Sequence, residues 1–250
     1  MNFEKWQQYF QDNQNHFDHI QWESGERFSK ADRSLLAPSL QQFQRGEYSE
    51  GKHLLAYARE MGDPHYLEAI KLFIREEQDH AMVLGRLMEL ESIAVIRQHW
   101  IDGVFRKLRQ LSGLENTLLV LLSAEIIAKI YYRVLWNAHF SPLLDECCLQ
   151  ILKDEEDHIA FQCDALHQLF LKRSAVSRIF TRSWHRLLMM GTIAIVWLSH
   201  RRVLRRGHYN AERFFLETML VFNRANRAVI HGKEMAGRGP ATDIHLVSSL

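Results

Sequence analysis

The chain is poor in residues that interrupt helices: its 250 residues include only 12 glycines and 4 prolines. Few turns and long helices follow. Cysteine is scarce as well. Cys147, Cys148 and Cys163 form no C-x-x-C pair, which argues against a disulfide framework and a structural zinc site. A reducing, cytoplasmic setting is expected. Charge of one sign is not in excess, because the formal net charge is +1, and a general polyanion binder is not indicated. The first residues show no basic segment followed by an apolar run, so no signal peptide is expected. The longest nearly uninterrupted apolar run, 187–198, has twelve residues. A bilayer crossing needs about 20, so a buried or interfacial helix is the better expectation. With 47% apolar and 24% charged residues, the composition is that of an ordinary soluble globular protein. The length fits one large domain, or one domain with an appendage.

What the chain does contain is a repeated acidic motif. Glu76-Glu77-Gln78-Asp79-His80 and Asp154-Glu155-Glu156-Asp157-His158 both read acid-Glu-x-Asp-His. Each has a glutamate thirty residues before its central Glu: Glu47 before Glu77, and Glu125 before Glu155. A single Glu-x-x-His is weak, because surface helices often carry one by chance. Two with equal offsets are specific.

Apolar periodicity places these residues on helices. One helix is expected over 35–61, with Leu36, Leu40, Phe43, Leu54 and Ala58 on its buried stripe and Glu47 and Glu50 among them. Gly62 reads as its stop, Asp63 as the next cap and Pro64 as the first residue of a helix to about Leu90. A less regular connection passes through Gln98, His99 and Trp100. Ser112 with Glu115 reads as a capping box for a third helix ending near Ala138. Ser141-Pro142 opens a fourth, ending near Lys172. Each motif lies about fifteen residues after a turn, and each upstream glutamate about fifteen before it. In an antiparallel hairpin with a rise of about 1.5 Å per residue, these positions come level. The two halves read as an internal repeat of one hairpin.

Ionised carboxylates on apolar stripes are costly to bury unless compensated. Four in one bundle would repel each other, and two divalent cations would cancel their charge. Glu and His at i and i+3 share one helix face and can serve one metal together. Mixed carboxylate and imidazole donors suit iron or manganese, with zinc as an alternative. On these residues the chain resembles the ferritin-like di-iron carboxylate superfamily over roughly 35–172. The resemblance implies an all-α fold, a ferritin-like antiparallel four-helix bundle with a C-terminal helical extension. It implies metal ligation by Glu47, Glu77 and His80 in one half and by Glu125, Glu155 and His158 in the other. Glu77 and Glu155 would bridge two Fe ions, or Mn, with Glu47 and Glu125 at the ends. Glu47-x-x-Glu50 resembles the extra glutamate of rubrerythrins, which makes Glu50 a further metal ligand with a catalytic, redox-dependent role. Glu50 could also replace Glu47, although the equal thirty-residue offset favours Glu47. Glu76 and Asp154 are expected to hydrogen-bond the ligand histidines or to be solvated surface charges.

The resemblance narrows by what is missing. Three scattered cysteines cannot form the cysteine-ligated iron domain of many rubrerythrins. The position four residues after His80, a tyrosine in ribonucleotide reductase radical subunits, is Leu84, and Gln162 stands at that offset after His158. Tyr57, Tyr131 and Tyr132 are read as core packing. The chain continues for nearly eighty residues past the expected bundle, unlike a plain cage subunit. Between 165 and 211 there is no Asp or Glu but there are nine Lys or Arg. A helical hairpin is expected there, turning near Gly207-His208-Tyr209. It would pack on the bundle with its arginines in water, or use its basic 172–206 region on an anionic surface: lipid, acidic protein or RNA.

The resulting division is an N-terminal segment 1–34, a ferritin-like domain 35–173, a hairpin 174–236 and a mobile tail 237–250. The expected activity is a di-iron oxidase or oxygenase, an oxidoreductase that uses O2 or peroxide on a small-molecule substrate. It would need an external electron donor and could form a homodimer. The alternatives are an iron-handling ferroxidase or peroxide scavenger, and an RNA-modifying di-iron hydroxylase.

Overall fold

The computed structural model describes residues 3–23, 27–48, 51–96 and 113–232. Among the described residues all regular structure is helical. The helices are α1 (Phe3–Asp12), α2 (Lys30–Glu47), α3 (Lys52–Met61), α4 (Pro64–Leu90), α5 (Gly113–Ala138), α6 (Pro142–Leu171), α7 (Ala175–Arg206) and α8 (Ala211–His231). Local chemistry explains most of their ends. Gly62 takes the left-handed conformation at φ 72° and closes α3. One residue on, the Asp63 side chain accepts a hydrogen bond from Tyr66 N and opens α4. Ser141 caps α6 through Leu144 N, and Asn210 caps α8 through Arg213 N.

The helix expected over 35–61 is in fact two. It stops at Glu47, Tyr48 is extended, and Gly51 sits at φ 61° as the cap of α3. A Cβ on Gly51 would lie 2.2 Å from Ile74 Cδ1, so the close approach to α4 and the positive φ both require glycine. Glu50, Gln98 to Trp100, Ser112 and the tail 237–250 lie outside the described residues.

Helices α2 and α3 run back along α4, and α5 pairs with α6 in the most extensive helix contact. The N-terminal α1 lies along α4, while α7 packs on α5 and α2, and α8 on α6. The apolar core comes in two clusters. One gathers Phe3, Phe10, Leu54, Ile74, Leu122 and Ile159; the other gathers Leu40, Val83, Ala128, Tyr131 and Leu152. Each of the four inner lines passes from one cluster to the other at its acidic residues. Leu40 and Leu54 bracket Glu47, Ile74 and Val83 bracket Glu77 and His80, and Leu122 and Ala128 bracket Glu125. Leu152 and Ile159 bracket Glu155 and His158. The acids therefore form a polar layer between two dry ones.

The apolar run 187–198 lies inside the 32-residue α7. By length and composition alone, α7 could cross a membrane, although 39% of its most apolar stretch is buried within the protein. Arg186 and His200, which bound the run in sequence, interrupt the apolarity but not the helix.

Candidate metal centre

Glu77, His80, Glu155 and His158 converge from α4 and α6. One donor atom from each falls within 4.8 Å of all the others. His80, Glu155 and His158 are fully buried, and Glu77 is 9% exposed. Each histidine turns Nδ1 toward the central glutamate of the other motif. His158 Nδ1 is 2.8 Å from Glu77 Oε1, and His80 Nδ1 is 3.8 Å from Glu155 Oε1. The two rings lie 5.4 Å apart between centroids. Glu125 closes the α5 side, with Oε2 3.8 Å from His158 Nδ1. Its Oε1 accepts a 2.8 Å hydrogen bond from Gln162 Nε2. Glu47 is buried, accepts a hydrogen bond from the Tyr132 hydroxyl, and feels the charges of Glu77 and Glu125.

The outer nitrogens are held reciprocally. His80 Nε2 is 3.1 Å from Asp154 Oδ2, and His158 Nε2 is 3.5 Å from Glu76 Oε2. The acid preceding each motif glutamate thus contacts the histidine of the opposite motif. The carboxylate hydrogen-bonded to His80 Nε2 fixes the tautomer that directs its Nδ1 lone pair inward, whereas His158 Nε2 has a carboxylate nearby but no hydrogen bond to it. Asp154 hydrogen-bonds a motif histidine as expected, while Glu76 only approaches one, and in both cases the partner is crossed between helices.

Sequence reasoning missed what joins the two acids. His16 Nδ1 lies 2.9 Å from Asp154 Oδ2 and 3.2 Å from Glu76 Oε1. Asn13 donates to both carboxylates, at 3.1 Å to Asp154 Oδ1. Gln150 adds a 2.9 Å bond to Asp154. Burial disfavours charge on His16, yet its bonds to Asp154 and Glu76 raise its pKa to about 9. His16, His80 and Asp154 also approach one another closely enough to hold an ion. His16 lies in the N-terminal segment 1–34, to which no role was assigned. Tyr132, read as core packing, is the second omission, because its hydroxyl reaches Glu47.

The electrostatics are those of crowded acids. Glu155 is pushed well above the usual carboxylate range by burial and then by Glu125, Glu77 and Glu47. Burial followed by Glu77 does the same to Glu47, and burial followed by Glu125 raises Glu77. Glu125 goes the other way: burial alone would raise it, but His158 and Gln162 bring it below the ordinary value. Burial opposes charge on His158, and Glu125, Glu76 and Glu77 overcome that and raise it strongly.

The donor set fits a metal. Both oxygens of Glu155, Glu77 Oε1, and the Nδ1 atoms of His80 and His158 are buried without a hydrogen-bond partner. Orphaned buried polar atoms are rare unless something else satisfies them. Here they all point at one place and have the hard and intermediate character that divalent first-row metals accept. The cluster can hold metal ions. One flank is dry: Phe73 packs edge-on against His158 at 4.8 Å, with Phe10 at 6.1 Å and Phe161 behind it. No known protein family, curated protein or solved structure matches the chain.

Proposed function

We propose that the protein is a dinuclear iron (or manganese) carboxylate oxidoreductase of the ferritin-like type, built on helices α2 to α6. What carries the reading is the convergence of both Glu-x-x-His motifs, with Glu77, His80, Glu155 and His158 within 4.8 Å of one another. Glu47 and Glu125 would complete the set at the two ends. Six donors with four carboxylates match the charge of two divalent ions. When bound, such a pair supplies O2 or peroxide activation and the associated redox chemistry.

The chain's own residues do the rest. Asp154 and Glu76 orient the two imidazoles and make them better donors. His16 and Asn13 hold those two acids in place. The elevated proton affinity of Glu77 and Glu155 means that loading requires proton release from these carboxyls. Phe10, Phe73 and Phe161 exclude water from the His158 side. Reducing equivalents would come from an external donor.

The test is anaerobic loading with ferrous iron, followed by metal analysis and O2 uptake. The expected result is two ions per chain and rapid ferrous oxidation that stops near that stoichiometry. One ion or fewer would remove the dinuclear reading. Hundreds of irons in a very large particle would favour iron storage over an enzyme.

A further inference from the structure

Helix α7 is apolar on two opposite faces, and among the described residues only one of them is covered. The inner face carries His185, Met189, Ile193, Val196 and Val203, all buried. Polar contacts pin it to the body. Thr181 Oγ1 donates to Glu115 at 3.1 Å, His185 Nε2 meets Ser123 Oγ at 3.1 Å, and His200 Nδ1 meets Ser39 Oγ at 2.8 Å. The opposite face follows spacings of three and four residues, interrupted once by Ser183 between Phe180 and Leu187. Val176, Phe180, Leu187, Gly191, Ala194 and Leu198 lie on it, and all are exposed. Val176 is 78% exposed, Phe180 76%, Leu187 64% and Leu198 65%. Ile179, Trp184 and Met190 widen the strip, and α8 adds exposed Leu216 and Leu220. Ten of the fourteen exposed large apolar side chains among the described residues belong to α7 and α8, so the exposure is concentrated rather than scattered. Patches of this kind mark a surface that meets something apolar.

The charge around the strip identifies what it meets. The same line runs on into Arg201 and Arg205, both exposed. Arg182 and Arg186 flank it, and Lys172 and Arg173 stand at its other end. No acidic residue interrupts 165–211. Within α7 itself, an apolar strip with aromatic residues and only basic charges beside it is the pattern of a helix lying in a membrane interface. At about 1.5 Å per residue, 32 residues are long enough to span a bilayer. The inner face, however, is fastened to α5 and α2 by hydroxyl and imidazole groups, and this rules out a helix surrounded by lipid.

We propose that the outer face of α7, extended by α8, docks in plane on an anionic lipid surface. The strip enters the headgroup boundary and the arginines contact lipid phosphates. This docking does not depend on what the metal centre does.

Flotation with vesicles tests it. The full chain should float with vesicles of phosphatidylglycerol and phosphatidylcholine in equal parts, and about tenfold less with phosphatidylcholine alone. The double variant F180E/L187E should lose binding to the mixed vesicles by about tenfold, with unchanged helix content and metal content. Quenching by bromine-labelled acyl chains should fall in W184F, which reports the depth of the strip directly. Four outcomes would overturn the proposal. The first is absence of flotation on mixed vesicles. The second is flotation abolished by salt and indifferent to F180E/L187E, which would mean charge without insertion. The third is a lipid-free dimer that the same double variant dissociates, which would make a second copy the occupant. The fourth is capture by single-stranded RNA without vesicle binding.

Discussion

The two halves of the centre use one motif on unequal scaffolds. Glu125 sits in the middle of the unbroken α5, braced by Gln162. Its counterpart Glu47 is the last residue of α2, followed by extended Tyr48 and braced by Tyr132 from the other half. The 78-residue offset that relates Glu47 to Glu125 also relates Gly51 to Lys129. Gly51 is left-handed and pressed against Ile74; Lys129 is helical and ion-paired with Glu156. A repeat can thus preserve donor geometry while the helix beneath it is cut. Position of the donors, rather than continuity of the backbone, is what the two halves share.

The largest expected effect falls on the residues that the halves hold in common. Glu77→Ala and Glu155→Ala should each remove at least one of two bound ions, read by metal analysis after anaerobic loading. If the halves are interchangeable the losses will be equal. The shorter His158–Glu77 contact, 2.8 Å against 3.8 Å for His80–Glu155, makes Glu77→Ala the more damaging change. In metal-free protein the sign reverses for Glu155→Gln. Removing this buried, strongly perturbed acid should raise stability at neutral pH by about 1 kcal/mol or more, measured by thermal unfolding.

The pH dependence comes next. Glu47, Glu77 and Glu155 have folded values above the ordinary carboxylate value of 4.5, so the folded metal-free chain holds protons that the unfolded chain releases. Their stabilising contribution is complete below 4.5 and is lost as pH rises through the folded values. His16, raised from 6.5 to about 9, acts in the same direction, because its contribution is lost as pH climbs toward 9. Glu125 and Asp154 are lowered, so their contributions are present above the ordinary carboxylate range and lost only in acid. The melting temperature of the metal-free protein should therefore fall as pH rises from 5 to 9. With metal bound, the curve should flatten, because cations replace the protons.

Gly51→Ala addresses the broken side. Positive φ together with a Cβ 2.2 Å from Ile74 should cost about 1–3 kcal/mol. The paired change K129M/E156Q at the matching place, which removes both members of the ion pair, should cost less, because helical backbone there accepts any ordinary side chain. Equal losses in denaturant unfolding would show that the break is not the point of difference. Tyr132→Phe is the finest probe. Deleting the hydroxyl that donates to Glu47 should cost about 0.5–1.5 kcal/mol. It should weaken metal at the Glu47 end, with the Glu125 end unaffected in a two-step titration.

Much of this was legible beforehand, because it is written in local chemistry. Gly62, Asp63, Pro64, Ser141 and Pro142 mark turns through local chemistry, and α4 and α6 begin where those marks place them. The motif glutamates and histidines were found from spacing alone. The break before Gly51 was missed because the apolar stripe resumes in phase at Leu54, so periodicity passes over a gap that only the backbone reveals. Asn13, His16 and the crossed partners of Glu76 and Asp154 were missed for another reason. Periodicity says which face of a helix is buried, not which distant segment arrives to cover it. The exposed strip of α7 was half visible: its basic border stood out, but that the apolar run had a bare outer side required knowing what covered the inner one.

The clasp formed by Asn13 and His16 also bears on the order of assembly. Asn13 reaches Glu76 across 63 residues of chain and Asp154 across 141. The α5–α6 hairpin, by contrast, closes over a three-residue link. Loops of such different span close at different times, the short one early and the long one late. The chain is then expected to pass through a stage in which the acidic layer is already lined by its helices but still open on the side that the N-terminus will cover. That interval offers ions a way in. If ions are held there, the settled N-terminal segment should act as a latch on them, and opening of that latch should be seen in amide exchange along α4.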